Sequence, residues 1–190
     1  MAVDDAPFLD GKLLIAMPGM GDPRFDRAVI FLCAHSAEGA MGLIVNKPAA
    51  DLRVKDLLAQ LSIEMSAPPS DARVHFGGPV EHGRGFVLHS AEYGVEDSTL
   101  RVSPAFAMTA TVDILQDMAK GMGPRKALLA LGYSGWGPGQ LESEIQANGW
   151  LTAAAAPAIV FDAPDAGKWE AALKSLNIDP LLLSAGGGRA

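Results

Sequence analysis

Cys33 and His35 are the first residues along the chain able to do chemistry together. They stand two apart in an apolar run, FLCAH. Alternate residues of a strand share a face, so the spacing predicts a thiol beside an imidazole. That arrangement raises the thiolate fraction of a nucleophilic cysteine. The apolar surroundings favour the competing reading, a buried and inert thiol.

His75, His82 and His89 invite a metal reading because imidazole is a common ligand. The segments 74–80 and 84–90 flank Glu81-His82-Gly83, which predicts a hairpin turning at His82. In that register His75 faces His89, and His82 lies at the tip roughly 20 Å away. An opposed pair sits about 5 Å apart at the backbone and holds a metal only with a third ligand. His75 and His89 are therefore weak metal candidates. A hydrogen-bonded pair without metal is the plainer reading, and no cofactor is expected.

Gly132-Tyr133-Ser134-Gly135-Trp136 departs from the nucleophile-elbow pattern at Trp136, where a small residue must let the strand turn into its helix. Glycines 132, 135, 137 and 139 stand between a predicted strand and a helix predicted from Pro138. Free N–H groups at a helix start suit an anion. Ser134, Gly135, Gly137, Gly139 and Gln140 are accordingly the candidate ligand- or anion-binding residues, with no catalytic residue assigned. A packing loop with Trp136 buried and glycines at unusual φ is the competing reading.

The 17–27 segment, MPGMGDPRFDR, lacks the third glycine and the following helix of a dinucleotide fingerprint. Asp22, Arg24, Asp26 and Arg27 are expected to form a local ionic cluster that fixes the turn. An anion is thus expected at 132–140 and not at 17–27.

These residues need elements to position them. Residues 13–17 read as a buried strand, and 28–35 with 41–46 as a hairpin around SAEGA, ended by Pro48. Residues 51–61 have helical spacing with Asp51 as cap. Residues 67–71 read as a loop and 100–104 as a short strand. A helix is expected from Thr109 or Thr111 to Met118. Residues 126–133 read as a strand, 138–147 as a helix, 158–161 as a strand and 166–176 as a helix. Short turns between strand pairs predict a mixed α/β (α+β) fold, with a largely antiparallel or mixed sheet and helices packed over it.

The 190 residues predict a single domain over 1–190 with flexible ends at 1–8 and 184–190. Hydrophobic residues make up 49%, ample for a core. Fifteen Lys and Arg against 22 Asp and Glu give a net charge of −7, which argues against duplex binding. One cysteine excludes an intrachain disulfide. The N-terminus MAVDDAPFLDG has no basic region typical of a secretory signal. The longest weakly polar run, 151–161, holds Pro157 and is too short to span a bilayer. A cytoplasmic protein without membrane contact is the expectation.

Three stretches carry a family resemblance: GKLLIAMPGMGDPRFDRAVIFLCAHSAEGAMGLIVNKP, VHFGGPVEHGRGFVLHS and ALLALGYSGWGPGQLESEIQANGWL. In order and content they resemble the YqgE/AlgH family of bacterial proteins. The resemblance implies a cytoplasmic domain of mixed α/β fold, in a family some of whose members are labelled transcriptional regulators. It implies no catalytic residue. The leading functional expectation is a domain that binds a small ligand or a protein partner, with a regulatory role. An enzyme using Cys33 and His35, or the 132–140 loop, is the alternative. A DNA-binding regulator is the second, and the sequence shows neither a helix-turn-helix signature nor a basic face for it.

Overall fold

A computed structural model describes residues 8–19, 21–66 and 72–186. The expectations for residues 1–7, for the 67–71 loop and for 187–190 lie outside the described residues. Ten strands are present among those described. They are Lys12–Ala16 (β1), Val29–Ser36 (β2), Gly39–Ile44 (β3), Pro48–Arg53 (β4), Arg73–Phe76 (β5), Val80–Ser90 (β6), Thr99–Arg101 (β7), Phe106–Thr109 (β8), Ala127–Trp136 (β9) and Trp150–Ala154 (β10). The helices are Val54–Gln60 (α1), Val112–Ala119 (α2), Gln140–Gln146 (α3), Asp165–Ser175 (α4) and Pro180–Gly186 (α5). No described helix is long and apolar enough to cross a membrane.

The sheet runs β10-β1-β2-β3-β9-β6-β8-β7, and β4 and β5 join along β9. Among the described strands only the β5–β9 pair is parallel. The fold is thus mixed α/β with a mainly antiparallel sheet. Its central strands are buried on both faces, which is why they read as continuous apolar runs. Leu13, Ile15, Val29 and Phe31 pack with Trp169 and Leu173 of α4. Their neighbours Leu14, Ala16, Ile30 and Leu32 pack with Leu141 of α3, Trp136 and Trp150. A third cluster seats Leu58 of α1 and Ile114 of α2 on Val74, Val87 and Leu129. Each such side chain stabilises the fold by about 1.5–3 kcal/mol through burial.

The β2–β3 hairpin forms where its sequence predicts it, as do α2, α3 and α4 within a few residues. Several elements differ. Asp51 does not cap α1: it lies in β4, and Arg53 takes the N-cap position, its N–H donated to the Asp56 carboxylate at 2.9 Å. Residues 158–161 form a π-helical turn, because β10 already occupies the edge beside β1. The strand β8 is not predicted, and it takes Thr109, so that the helix starts after Thr111. The helix α5 reaches Gly186, into the tail expected to be flexible.

The largest difference concerns the predicted hairpin at His82. The strands β5 and β6 do not pair; they flank β9, with Val74 opposite Leu129 on one edge and Val87 opposite Leu129 on the other. The chain changes edges by crossing β9 at Gly77-Gly78-Pro79. Gly77 N–H donates to the Leu131 carbonyl at 2.8 Å, and the Gly77 carbonyl accepts from Ile44 N–H at 3.0 Å. Gly78 has φ +154° and Gly132 φ +76°. A Cβ on Gly78 would overlap the Tyr133 carbonyl, and one on Gly132 the Gly78 carbonyl. Only glycine permits this approach of two backbones.

Candidate functional site

The sheet carries two cavities, one of about 780 Å³ at the turn of the β2–β3 hairpin and one of about 640 Å³ between the 17–25 segment and α3. They share Val80, Gly135 and Trp136, so they adjoin across β9. Phe86 and Tyr133 wall the first, edge to face at 5.8 Å between ring centres. Trp136 and Trp150 wall the second, 6.1 Å apart, and Phe25 meets Trp150 at 6.0 Å. Gly135 shares the Tyr133 face of β9 and leaves the ground beside the Phe86–Tyr133 wall bare, while Trp136 faces the other way, with Trp150. An added Cβ there would meet only the Tyr133 ring, at 3.4 Å. At one end the Arg84 guanidinium lies 5.1 Å from the Phe86 ring and pairs loosely with Glu81 at 3.7 Å. At the other end Arg24 is held by Asp22 at 2.8 Å. The mutual bond holds the exposed Asp22 carboxyl below its ordinary range and the Arg24 guanidinium above its own.

The five residues of the predicted 132–140 loop have distinct places here. The strand β9 runs on through Trp136, so Ser134 and Gly135 are strand residues. Ser134 is 1% exposed, and its hydroxyl donates to the Gly77 carbonyl at 3.1 Å, as part of the backbone crossing. Gly137 N–H donates to the Gln140 side chain at 2.9 Å, and Gln140 N–H to the Gly137 carbonyl at 3.1 Å. Gly139 sits at φ +74° as the left-handed N-cap of α3. Glu144 lies beneath the loop, where its Oε1 accepts both indole N–H groups, from Trp136 and Trp150, at 2.9 Å each. The Ser134, Gly137 and Gln140 donors expected for an anion are thus committed, and a carboxylate sits among them. Gly135 and Gln140 line the second cavity, the Gln140 amide also donating to Glu144 at 3.0 Å. The expected ionic cluster of the 17–27 turn reduces to the Asp22–Arg24 pair. Asp26 instead receives the Lys47 ammonium on its carbonyl at 2.6 Å, and Arg27 lies over the Trp169 ring at 4.9 Å.

Cys33 and His35 do not share a face. A bulge between Leu32 and Ala34 inserts a residue and reverses the alternation. Cys33 faces the core beneath α4, where burial pushes its thiol up to about 12. His35 faces α3. Its Nδ1 accepts Leu9 N–H at 2.9 Å, so Nε2 carries the proton and donates to Glu142 at 3.0 Å. Glu142's own N–H, with His35 as a lesser cause, holds its carboxyl below the ordinary range against a small effect of burial. Iodoacetamide is therefore expected to modify Cys33 in the native protein at least about a hundred-fold more slowly than in the urea-unfolded chain; equal rates would reinstate a reactive cysteine.

The two metal candidates are likewise apart. His89 is fully buried and neutral: Nδ1–H donates to the Ser90 carbonyl at 2.9 Å and Nε2 accepts the Thr109 hydroxyl at 2.8 Å. Burial lowers its pKa, offset in part by the Ser90 bond. His75 lies across β9 and meets Asp165 of α4, both carboxylate oxygens standing 3.0 Å from Nε2. No cluster of three or more His, Cys, Asp or Glu suited to a metal occurs among the described residues. Asp165 also holds the Lys168 ammonium at 3.0 Å, and Lys168 donates to the Val45 carbonyl at 2.8 Å. This trio, in which the buried His75 and Lys168 meet the half-buried Asp165, is absent from the sequence reading. Its only local trace is the helical i,i+3 spacing of Asp165 and Lys168.

The comparisons with known proteins agree with this architecture. Residues 13–181 match the family described as AlgH-like. The chain is 66% identical over 183 residues to a UPF0301 protein of Ruegeria pomeroyi, covering 96% of this chain and 99% of that one. It is 57% identical over 190 residues to a UPF0301 protein of Paracoccus denitrificans, covering 99% and 100%. Its structure is similar to the solution structure of the AlgH protein from Pseudomonas aeruginosa, with a TM-score of 0.78 and 41% identity over the whole of both chains. A protein of Corynebacterium diphtheriae shares the fold at 23% identity, with a TM-score of 0.71 over 92% and 89% of the two chains. With the family profile filling most of its length and such relatives matched end to end, this chain belongs to the AlgH-like family.

Proposed function

We propose that the protein is a binding module for a small ligand with a flat apolar body and an anionic group. The observation that carries this reading is the bare Gly135 floor of the first cavity, beside the Phe86–Tyr133 wall. Concave, mainly apolar surfaces with a few placed polar groups are the usual form of small-molecule sites. Arg84, whose one close carboxylate among the described residues, Glu81, is 3.7 Å away, supplies the cation. A regulatory role is part of the proposal. A ligand here would tie together the β2–β3 turn, the 79–84 crossing and the start of α3, so its occupancy would bias their arrangement. The cytoplasmic setting expected from the sequence belongs to the same proposal. Catalysis by Cys33 and His35 has no support, since they face opposite ways. Duplex binding has little, at a net charge of −7.

The naphthalene sulfonate dye ANS has the required chemistry and serves as probe. Wild-type protein is expected to bind it saturably, with a rise in dye fluorescence. Gly135→Leu, which fills the junction at a position of ordinary backbone conformation, is expected to weaken binding at least about ten-fold while leaving the thermal midpoint nearly unchanged. Equal binding by the variant, or none by the wild type, would overturn the reading.

A further inference from the structure

Among the described strands β4, β7 and β10 end the sheet, each paired along one side only. An unpaired strand edge is a template for another chain, and proteins blunt it with charges, proline, bulges or brevity. Two of these edges are blunted. The strand β7 has three residues, among them the exposed Arg101. The strand β4 opens on Pro48, carries Asp51 and Arg53, bends through Ala50 at φ 48° and keeps no continuous register with β5. The strand β10 has none of these devices. Its five residues follow β1 without a bulge, and the chain holds no charged residue from 148 to 161.

The direction of the free groups on β10 follows from its pairing. Met17 N–H donates to the Gly149 carbonyl at 2.9 Å, so Leu151 and Ala153 turn their N–H and C=O groups towards β1. Thr152 and Ala154 turn theirs outward, and no backbone partner meets them among the described residues. Thr152 is half-buried and Ala154 exposed. Trp150 also turns outward but is 2% exposed and out of reach. Antiparallel pairing about a two-fold at Ala153 uses the accessible residues alone: Thr152 of each copy meets Ala154 of the other, donor to acceptor in both directions. A second copy is the occupant these features fit. A foreign strand is selected through pockets for its alternate side chains, and none of the larger cavities on the described residues is lined by 151–154. Two chains of net charge −7 repel each other, and an uncharged edge is where that repulsion is weakest.

We propose that β10 is a pairing edge for a second copy of this chain, joining the two sheets antiparallel about Ala153. A five-residue edge falls short of the roughly 1,000 Å² of a stable interface, so the dimer is weak and concentration-dependent. The test is sedimentation equilibrium of the full chain from about 1 µM to about 1 mM, a range that spans weak association, with amide exchange followed by NMR across it. The mass is expected to rise from the monomer value towards twice it. Exchange at the Thr152 and Ala154 amides is expected to slow at least about ten-fold over the range, while Leu151 and Ala153, already paired with β1, stay unchanged. Ala154→Lys, at an exposed position that does not threaten folding, puts a cation of each copy across the joint. It is expected to weaken dimerisation at least about ten-fold and leave the thermal midpoint nearly unchanged. A chain that is monomeric at every concentration overturns the proposal and leaves the edge to a foreign strand. Dimerisation that survives Ala154→Lys, or that leaves the Thr152 and Ala154 amides unaffected, overturns it too. The proposal is independent of the groove across Gly135, and each stands or falls alone.

Discussion

Replacing Asp165 by alanine lowers the stability of the protein by about 3–5 kcal/mol, the cost of breaking a buried ion pair from one side. The substitution leaves the Lys168 ammonium buried with only the Val45 carbonyl, and strips His75 of its partner as well. Burial already lowers the Lys168 pKa, and Asp165 is the charge that opposes this. Adding Lys168→Met removes the uncompensated charge and restores most of the loss, since an apolar replacement of similar volume is often neutral. A double-mutant cycle by urea unfolding checks this; additive losses would show that the two groups are not coupled. The pH dependence has a definite sign. Burial works to raise the Asp165 pKa, but His75 and Lys168 outweigh it and hold it below the ordinary 3.8. Its stabilisation is therefore present above that value and lost as the pH falls through the lower, folded one. Wild type should lose more stability on acidification below that point than Asp165→Ala does.

Gly78→Ala has the second large effect, about 3 kcal/mol or more. The added Cβ overlaps the Tyr133 backbone, and alanine is strained at φ +154°. Gly132→Ala acts on the same contact from the other strand, so the two losses should not add. Gly83→Ala is the control: nothing lies within 4 Å of its Cβ position and its φ is not positive. It should cost less than about 1 kcal/mol. Thermal unfolding of the three variants decides. A tolerated Gly78→Ala would mean that the crossing over β9 is wrong.

The sequence showed local features and hid those made by distant segments. The β2–β3 hairpin is legible because two apolar runs flank a turn composition that joins them through Ala37 and Glu38. The helices α3 and α4 are legible from spacing and end signals. The hairpin at His82 is a plausible misreading: the three histidines fit a symmetric register, while the crossing that separates β5 from β6 depends on Gly132, more than fifty residues downstream. The Cys33–His35 pairing fails for one reason, a bulge that no composition announces. His75 and Asp165 lie 90 residues apart, and nothing local to either points to the other. Gly135 stands out in the sequence as one of four glycines expected to open a helix, and in the structure it is a residue of β9 lining both cavities. Its use as groove floor and not anion donor follows from β9 running through it to Trp136.

The central claim, a ligand groove across Gly135, is tested most directly by mapping the bound probe on the wild-type protein. In a two-dimensional NMR titration with ANS, the groove reading predicts saturable shifts of the Gly135 amide, the Trp136 indole N–H and the methyl groups of Met41 and Met108. Shifts confined to the exposed Leu181 and Leu182 of α5, or no saturable shifts, would contradict it.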